Sequence, residues 1–222
     1  MRKIAWRPSP NFQPRSAPVD MLVLHYTGMD SAEAALDRLC DELAEVSAHY
    51  LIDEQGDITQ LVAEENRAWH AGRASWRGQS DVNGRSIGIE LVNPGHEFGY
   101  RLFPQAQIEA LAELAAAILA RWPIPARNVV GHSDVAPLRK QDPGELFPWR
   151  RLASSGIGLW PLPAEPGGDL AANLRRYGYG WEADSDLPLV LTAFQRHFRP
   201  EKCDGVADLE TSALLNGLIL QL

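Results

Sequence analysis

Apolar residues come in short bursts over the first two thirds of the chain and at helical spacing over the last third. Residues 20–27, DMLVLHYT, are an apolar run rich in strand formers that ends in polar residues, as a buried strand does. Residues 31–45 carry Ala34, Leu36, Leu39, Leu43 and Ala44 at roughly helical spacing, with Ser31 placed to cap the helix. Residues 47–62, SAHYLIDEQGDITQLV, read as strand, turn and strand, with DEQGD supplying the turn and its glycine. In SIGIELVN (86–93), Ile87, Ile89 and Leu91 alternate with Gly88 and Glu90, which predicts another strand. Residues 104–122 predict the longest helix, with Pro104 allowed in its first turn. NVVGH (128–132) is a last short strand, and the Pro-rich first 20 residues are expected to run over the surface. Strands mixed with helices at this spacing predict an α/β fold, a central mixed β-sheet flanked by helices.

A boundary follows. Residues 156–169 are rich in Gly and Pro and have no periodicity, so they read as a linker. Beyond lie three helical patterns, about 169–177, 186–198 and 207–220, the middle one with its apolar residues on one face. The expected organisation is a first domain over 1–160, a linker over 161–168 and a small three-helix module over 169–222. A module this small is expected to lean on the first domain.

Composition narrows the function. A chain of 222 residues with 45% hydrophobic and 23% charged residues can bury a sizeable core without staples. The two cysteines, Cys40 and Cys203, argue against a disulfide framework and a thiolate zinc site. A formal charge of -8 argues against a nucleic-acid surface. Nothing has the length of a signal peptide's apolar core or of a membrane span, which makes the cytoplasm the expected location. The alternative is the periplasm, reached by an unrecognised route. Oligomeric state is left open.

The chemistry gathers in residues 129–149, VVGHSDVAPLRKQDPGELFPW, which read as loop and hold His132, Lys140 and Asp142. His25 ends one predicted strand and His132 another, and strand ends of an α/β sheet often gather on one rim. Asp142 sits on a Pro-flanked loop able to fold back to that rim. Two imidazoles and one carboxylate fill three positions of a catalytic zinc and leave the fourth for water. Structural histidines are the plain alternative. HSD also matches the start of a two-His-one-carboxylate iron site through His132 and Asp134, but the downstream histidine is His197, in a helical pattern of the tail. Glu90 is either paired with an arginine such as Arg85 or a general base beside a metal-bound water. Lys140 is either a solvated loop charge or a cation for a developing oxyanion.

Five segments in order, LVLHYT, SAHYLIDEQGDITQLV, AWHAG, SIGIELVNPG and VVGHSDVAPLRKQDPGELFPW, resemble the zinc-dependent N-acetylmuramoyl-L-alanine amidases, the amidase-2 group related to peptidoglycan recognition proteins, in its AmiD and AmpD branches. The resemblance covers about residues 18 to 160. It implies hydrolysis of the amide between the lactyl group of N-acetylmuramic acid, or of its 1,6-anhydro form, and L-alanine of the stem peptide, in peptidoglycan recycling or turnover, with muropeptides as partners. It places zinc ligands at His25, His132 and Asp142, the catalytic glutamate at Glu90 and the loop lysine at Lys140. Phage-lysozyme-like amidases carry a catalytic Tyr where Ala48 stands, so Glu90 has to supply the base and His49 is read as structural. Trp69 and His70 are expected to line the substrate groove. The tail, with AFQRHF followed by DGVAD, resembles a peptidoglycan-binding helical module. The rival readings are a recognition protein that binds muropeptides without cutting them, and a remodelling enzyme of the intact wall.

Overall fold

The computed structural model describes residues 2–222. Strands β1 (Ile4–Trp6), β2 (Phe12–Pro14) and β3 (Met21–Tyr26) lead into helix α1 (Ala32–Cys40). The chain continues through β4 (Tyr50–Ile52), β5 (Ile58–Gln60), β6 (Asn66–Ala68), the single turn α2 (Val82–Arg85) and β7 (Ser86–Leu91). The turn α3 (Gly95–Phe98), the long α4 (Gln105–Arg121), β8 (Val129–Gly131), the turn α5 (His132–Val135) and α6 (Trp149–Ser154) follow. The tail holds α7 (Leu170–Tyr177), α8 (Leu187–Phe198) and α9 (Leu209–Ile219).

Six strands form one mixed sheet in the order β1-β5-β4-β7-β3-β8. Only the β4–β5 hairpin is antiparallel; the other neighbours run parallel. Strand β3 is paired on both sides, and successive side chains alternate between faces. Leu22 and Leu24, with Ile87, Ile89 and Leu91 of β7, face α4 and α6 through Ile108, Leu111, Ile118 and Trp149. On the other face, Met21 and Val23 meet the tail in a shared core with Leu174, Tyr177, Phe194 and Phe198. Both faces of β3 are thus covered, which is why its sequence is a continuous apolar run. A third cluster seats Leu51 of β4 under Ala35 and Leu39 of α1. Among the described residues, no helix is long and apolar enough to cross a membrane.

The sequence expectations differ from this in three places. The helix expected over 31–45 is capped by Ser31, whose side chain accepts from the Ala34 N–H, but it stops at Cys40. There the Asp41 carboxylate caps a separate short turn, and Leu43 is left 91% exposed. Residues 2–20 run largely over the surface, with Ser9, Asn11 and Val19 buried, yet part of the stretch pairs as strands: β1 extends the sheet edge beside β5, and β2 pairs with β6. Their side chains are exposed, so backbone pairing rather than apolar burial makes them strands. The strand expected in NVVGH forms as β8, but the loop expected after it opens with a helical turn that starts at His132, and its Phe147 and Trp149 are buried.

Asp134 of α5 ties the tail to the sheet. Its Oδ2 accepts the Gly131 N–H at 2.7 Å and lies 2.7 Å from His197 Nδ1 of α8. Its Oδ1 accepts the Tyr179 hydroxyl at 2.6 Å. The His197 ring stacks on Trp149 at 3.8 Å between centroids. Asp134 and His197 therefore engage each other, and the iron arrangement through His132, Asp134 and His197 is not formed. Asp134→Ala leaves three buried donors without an acceptor. Its expected cost is about 3 kcal/mol, or a Tm lower by roughly 6–12 °C, read by calorimetry. An unchanged Tm would mean the tail does not lean on this carboxylate.

Candidate active site

The parallel register of β3 and β7 sets His25 directly beside Glu90. Alternation then puts Met21, Val23 and His25 of β3 and Ser86, Gly88 and Glu90 of β7 on one face, away from α4. Strand β8 pairs with β3 on the opposite side and ends at Gly131, so His132 emerges next to His25. The Ser133 N–H bonds Asp142 O at 2.8 Å, which folds the loop back and brings the Asp142 side chain to both histidines.

His25 Nδ1, His132 Nδ1 and Asp142 Oδ2 stand at the corners of a triangle with 3.0 Å sides. All three residues are buried, and together they form a group able to hold a metal ion. His132 Nε2 lies 3.0 Å from Ala71 O, and a carbonyl only accepts, so Nε2 carries the proton and Nδ1 presents its lone pair. Burial, with the neighbouring His132 charge, takes the His25 pKa down to about 4 and keeps that ring neutral near pH 7. Burial pulls the Asp142 carboxyl upward, but His132 and His25 outweigh it and hold the group well below the usual carboxylate range. Two imidazole nitrogens and a carboxylate oxygen turned toward one another are a donor set that fits a cation.

A cavity of about 430 Å³ opens at this triangle, with Glu90, Lys140, Trp69, His70 and Arg139 among its lining residues. Glu90 Oε2 is buried without a hydrogen-bond partner, and so is Trp69 Nε1. Burial and the Asp142 charge push the Glu90 carboxyl well above its ordinary value, and Lys140 opposes them. Arg85, considered from the sequence as a partner for Glu90, pairs with Asp20 instead. His70 touches the cavity, but both its ring nitrogens are engaged by His25 and Ser86. His49 is fully buried away from the triangle, accepting the Gly88 N–H on Nδ1 at 2.9 Å.

Several neighbours of the site carry no local mark in the sequence. Arg139 donates to Ala71 O and Arg73 O and lines the cavity. Tyr26, directly after His25, lies 2.9 Å from His96 Nδ1, and His96 Nε2 reaches Glu145 at 3.1 Å. Nothing local marks these residues, which meet only through the fold. Ser86 was within reach: the S-x-G-x-E alternation puts it on the face of Glu90.

A family model described as N-acetylmuramoyl-L-alanine amidase matches residues 15–145, more than half of the chain, and the chain belongs to this family of amide hydrolases. It is 41% identical over 230 residues to the N-acetylmuramoyl-L-alanine amidase AmiD of Escherichia coli (strain K12), covering 90% of this chain and 82% of that one. It is 38% identical over 167 residues to the 1,6-anhydro-N-acetylmuramyl-L-alanine amidase AmpD of Haemophilus influenzae, covering 66% of this chain and 89% of that one. The solved complex of E. coli AmiD with the substrate anhydro-N-acetylmuramic acid-L-Ala-D-gamma-Glu-L-Lys superposes with a TM-score of 0.83 at 40% identity, over 94% of this chain and 92% of that one.

Acid should loosen the metal-free protein. His25 and His49 have pKa values lowered from 6.5 to about 4 and about 3, and burial lowers His70 well below 6.5. Each stays neutral in the fold but takes a proton below 6.5 once unfolded, so its stabilisation is complete above that pH and lost as pH falls toward the folded value. Glu90, raised, acts in the opposite sense over the same range, one group against three. The expected net loss between pH 7 and pH 5 is roughly 2–4 kcal/mol, measured by urea unfolding in chelator. Equal stability at both pH values would show that these imidazoles are not held neutral.

Proposed function

We propose that the chain hydrolyses the amide between the lactyl group of N-acetylmuramic acid, or of its 1,6-anhydro form, and L-alanine of the stem peptide, with zinc held by His25, His132 and Asp142. The observation that carries this reading is the triangle of three buried acceptors beside the unpartnered oxygen of Glu90. Two histidines and one carboxylate are a ligand set of catalytic zinc sites, and a bound zinc supplies Lewis acidity for a water and a carbonyl.

Glu90 takes a proton from the attacking water and returns it to the leaving amine. Its free Oε2 leaves an acceptor for that water, and its raised pKa suits a group that both takes and gives a proton. Lys140 faces the same cavity and stabilises the oxyanion that develops on the carbonyl. Trp69 offers its unpartnered Nε1–H to the substrate. Neither Cys40 nor Cys203 has a part, since no covalent intermediate is required.

Residues 1–160 are read as the catalytic unit, 161–168 as the linker and 169–222 as a peptidoglycan-binding-like module. The substrate class is soluble muropeptides of recycling, supported by the 1,6-anhydro and anhydro-N-acetylmuramic substrates named for the relatives. A cytoplasmic location goes with that substrate, and cell fractionation checks it.

Mass spectrometry of a soluble anhydromuropeptide incubated with the protein tests the reaction. A released peptide with a free L-Ala amino terminus is expected, abolished by chelator and restored by zinc. An uncut muropeptide in the presence of zinc would overturn the reading. Glu90→Gln is expected to lower turnover by about 10²–10⁴ with the metal retained. Asp142→Ala is expected to lose the metal by elemental analysis, and full stoichiometry there would remove Asp142 from the ligand set.

A further inference from the structure

Ser86 Oγ lies 2.7 Å from Val82 O and 3.0 Å from His70 Nε2. A hydroxyl has one proton and a carbonyl has none to give, so the Ser86 proton goes to Val82. His70 Nε2 must then donate to Ser86, which leaves His70 Nδ1 bare. That nitrogen is 3.0 Å from His25 Nε2, so His25 carries its proton on Nε2. The lone pair of His25 is thereby placed on Nδ1, the atom 3.0 Å from both His132 Nδ1 and Asp142 Oδ2. The contact between His132 Nε2 and Ala71 O does the same for the other imidazole in one step.

The seat of the His70 ring is specific. The ring lies over Gly88, where an added Cβ would overlap it, and the Gly88 backbone has no left-handed φ to demand glycine. The sequence around it is fixed by Asn83, whose Oδ1 accepts the N–H groups of His70 and Ala71 at 3.2 and 2.8 Å. One side chain therefore holds both the residue that orients His25 and the residue whose carbonyl orients His132. The His25 and His70 rings meet edge to face, 5.1 Å between centroids and 82° between planes.

We propose that His70 and Ser86 are positioning residues for the metal centre: a hydrogen-bonded chain from Val82 O through Ser86 and His70 fixes the tautomer and ring angle with which His25 meets the metal. His70 is then not a substrate contact, because both of its nitrogens are spent inside the protein. The inference rests on the metal reading of the His25, His132 and Asp142 group, but its first readout does not need the metal.

Long-range proton–nitrogen NMR of the ¹⁵N-labelled full chain in chelator reports which ring nitrogen of each histidine is protonated. His25, His70 and His132 are all expected as the Nε2–H form. Ser86→Ala removes the acceptor at the end of the chain and is expected to give His70 and His25 mixed tautomers. Zinc affinity, by competition with a chromogenic chelator, should fall about 10–100-fold in Ser86→Ala and in His70→Phe. Gly88→Ala, which displaces the ring without touching a polar atom, should lose affinity in the same range. A wild-type His25 protonated on Nδ1, or zinc affinity unchanged in both Ser86→Ala and His70→Phe, would overturn the proposal. Failure of the wild type to take zinc would sink the metal reading, while the tautomers still decide this one.

Discussion

Three ligand atoms held 3.0 Å apart, His25 Nδ1, His132 Nδ1 and Asp142 Oδ2, are the constraint around which this molecule is arranged. Two imidazole lone pairs and a carboxylate repel one another, and the low dielectric of a buried site makes that repulsion larger than it would be in water. A flexible chain would relieve it by moving any one of the three apart. Here none can move freely. His25 is fixed by a strand paired on both sides, His132 starts a helical turn at the end of the neighbouring strand, and Asp142 is on a loop whose backbone oxygen accepts the Ser133 N–H. Folding energy from the apolar core thus holds together three side chains able to take a cation.

The tail takes part in that restraint. Asp134 accepts from the N–H of Gly131, the residue before His132, and the same carboxylate takes Tyr179 and His197. Farther along, Arg196 of α8 donates to Gln141, the neighbour of Asp142. His132 and Asp142 therefore each lie within two residues of a side chain that the tail contacts. A wall-binding role for the tail and a supporting role for its helices are compatible, because the support uses α8 and the start of the segment after α7, and leaves Val206 and Leu209 exposed.

What could be read from the sequence follows from how local each signal is. Strand β3, the Ser31 cap and α4 were legible because each is written in its own residues: a continuous apolar run, a capping serine and a helical stripe. Strands β1 and β2 were not, because their side chains are exposed and only their backbone partners make them strands. The early stop of α1 lay in Asp41, a residue equally at home on a helix surface, whose carboxylate starts a new turn instead. At the site, the residue types of the triangle were legible as candidates, and the order of five segments raised them together. Their convergence depends on the parallel register of β3 with β7 and β8, which no single segment encodes. His70 is the clearest case. Beside Trp69 in AWHAG it reads as a groove residue, and it does line the cavity; only the placement of Ser86 and Gly88 on the neighbouring strand shows that its ring nitrogens are also engaged within the protein.

Glu90 shows how the metal and the base depend on each other. Burial and the Asp142 charge push its proton affinity up, and its Oε2 has no partner in the protein. Alone, such a carboxyl favours its protonated form more than an exposed glutamate does. A cation on the adjacent triangle would offset the Asp142 charge, one of the causes of the upward shift, and draw the pKa back down. In the proposed reaction Glu90 would therefore be more readily ionised when the neighbouring site holds a cation. The same strand β7 that carries the buried Glu90 also gives the His70 ring its seat over Gly88, so a single strand face bears on both the His25 contact and the Glu90 carboxyl's affinity for its proton.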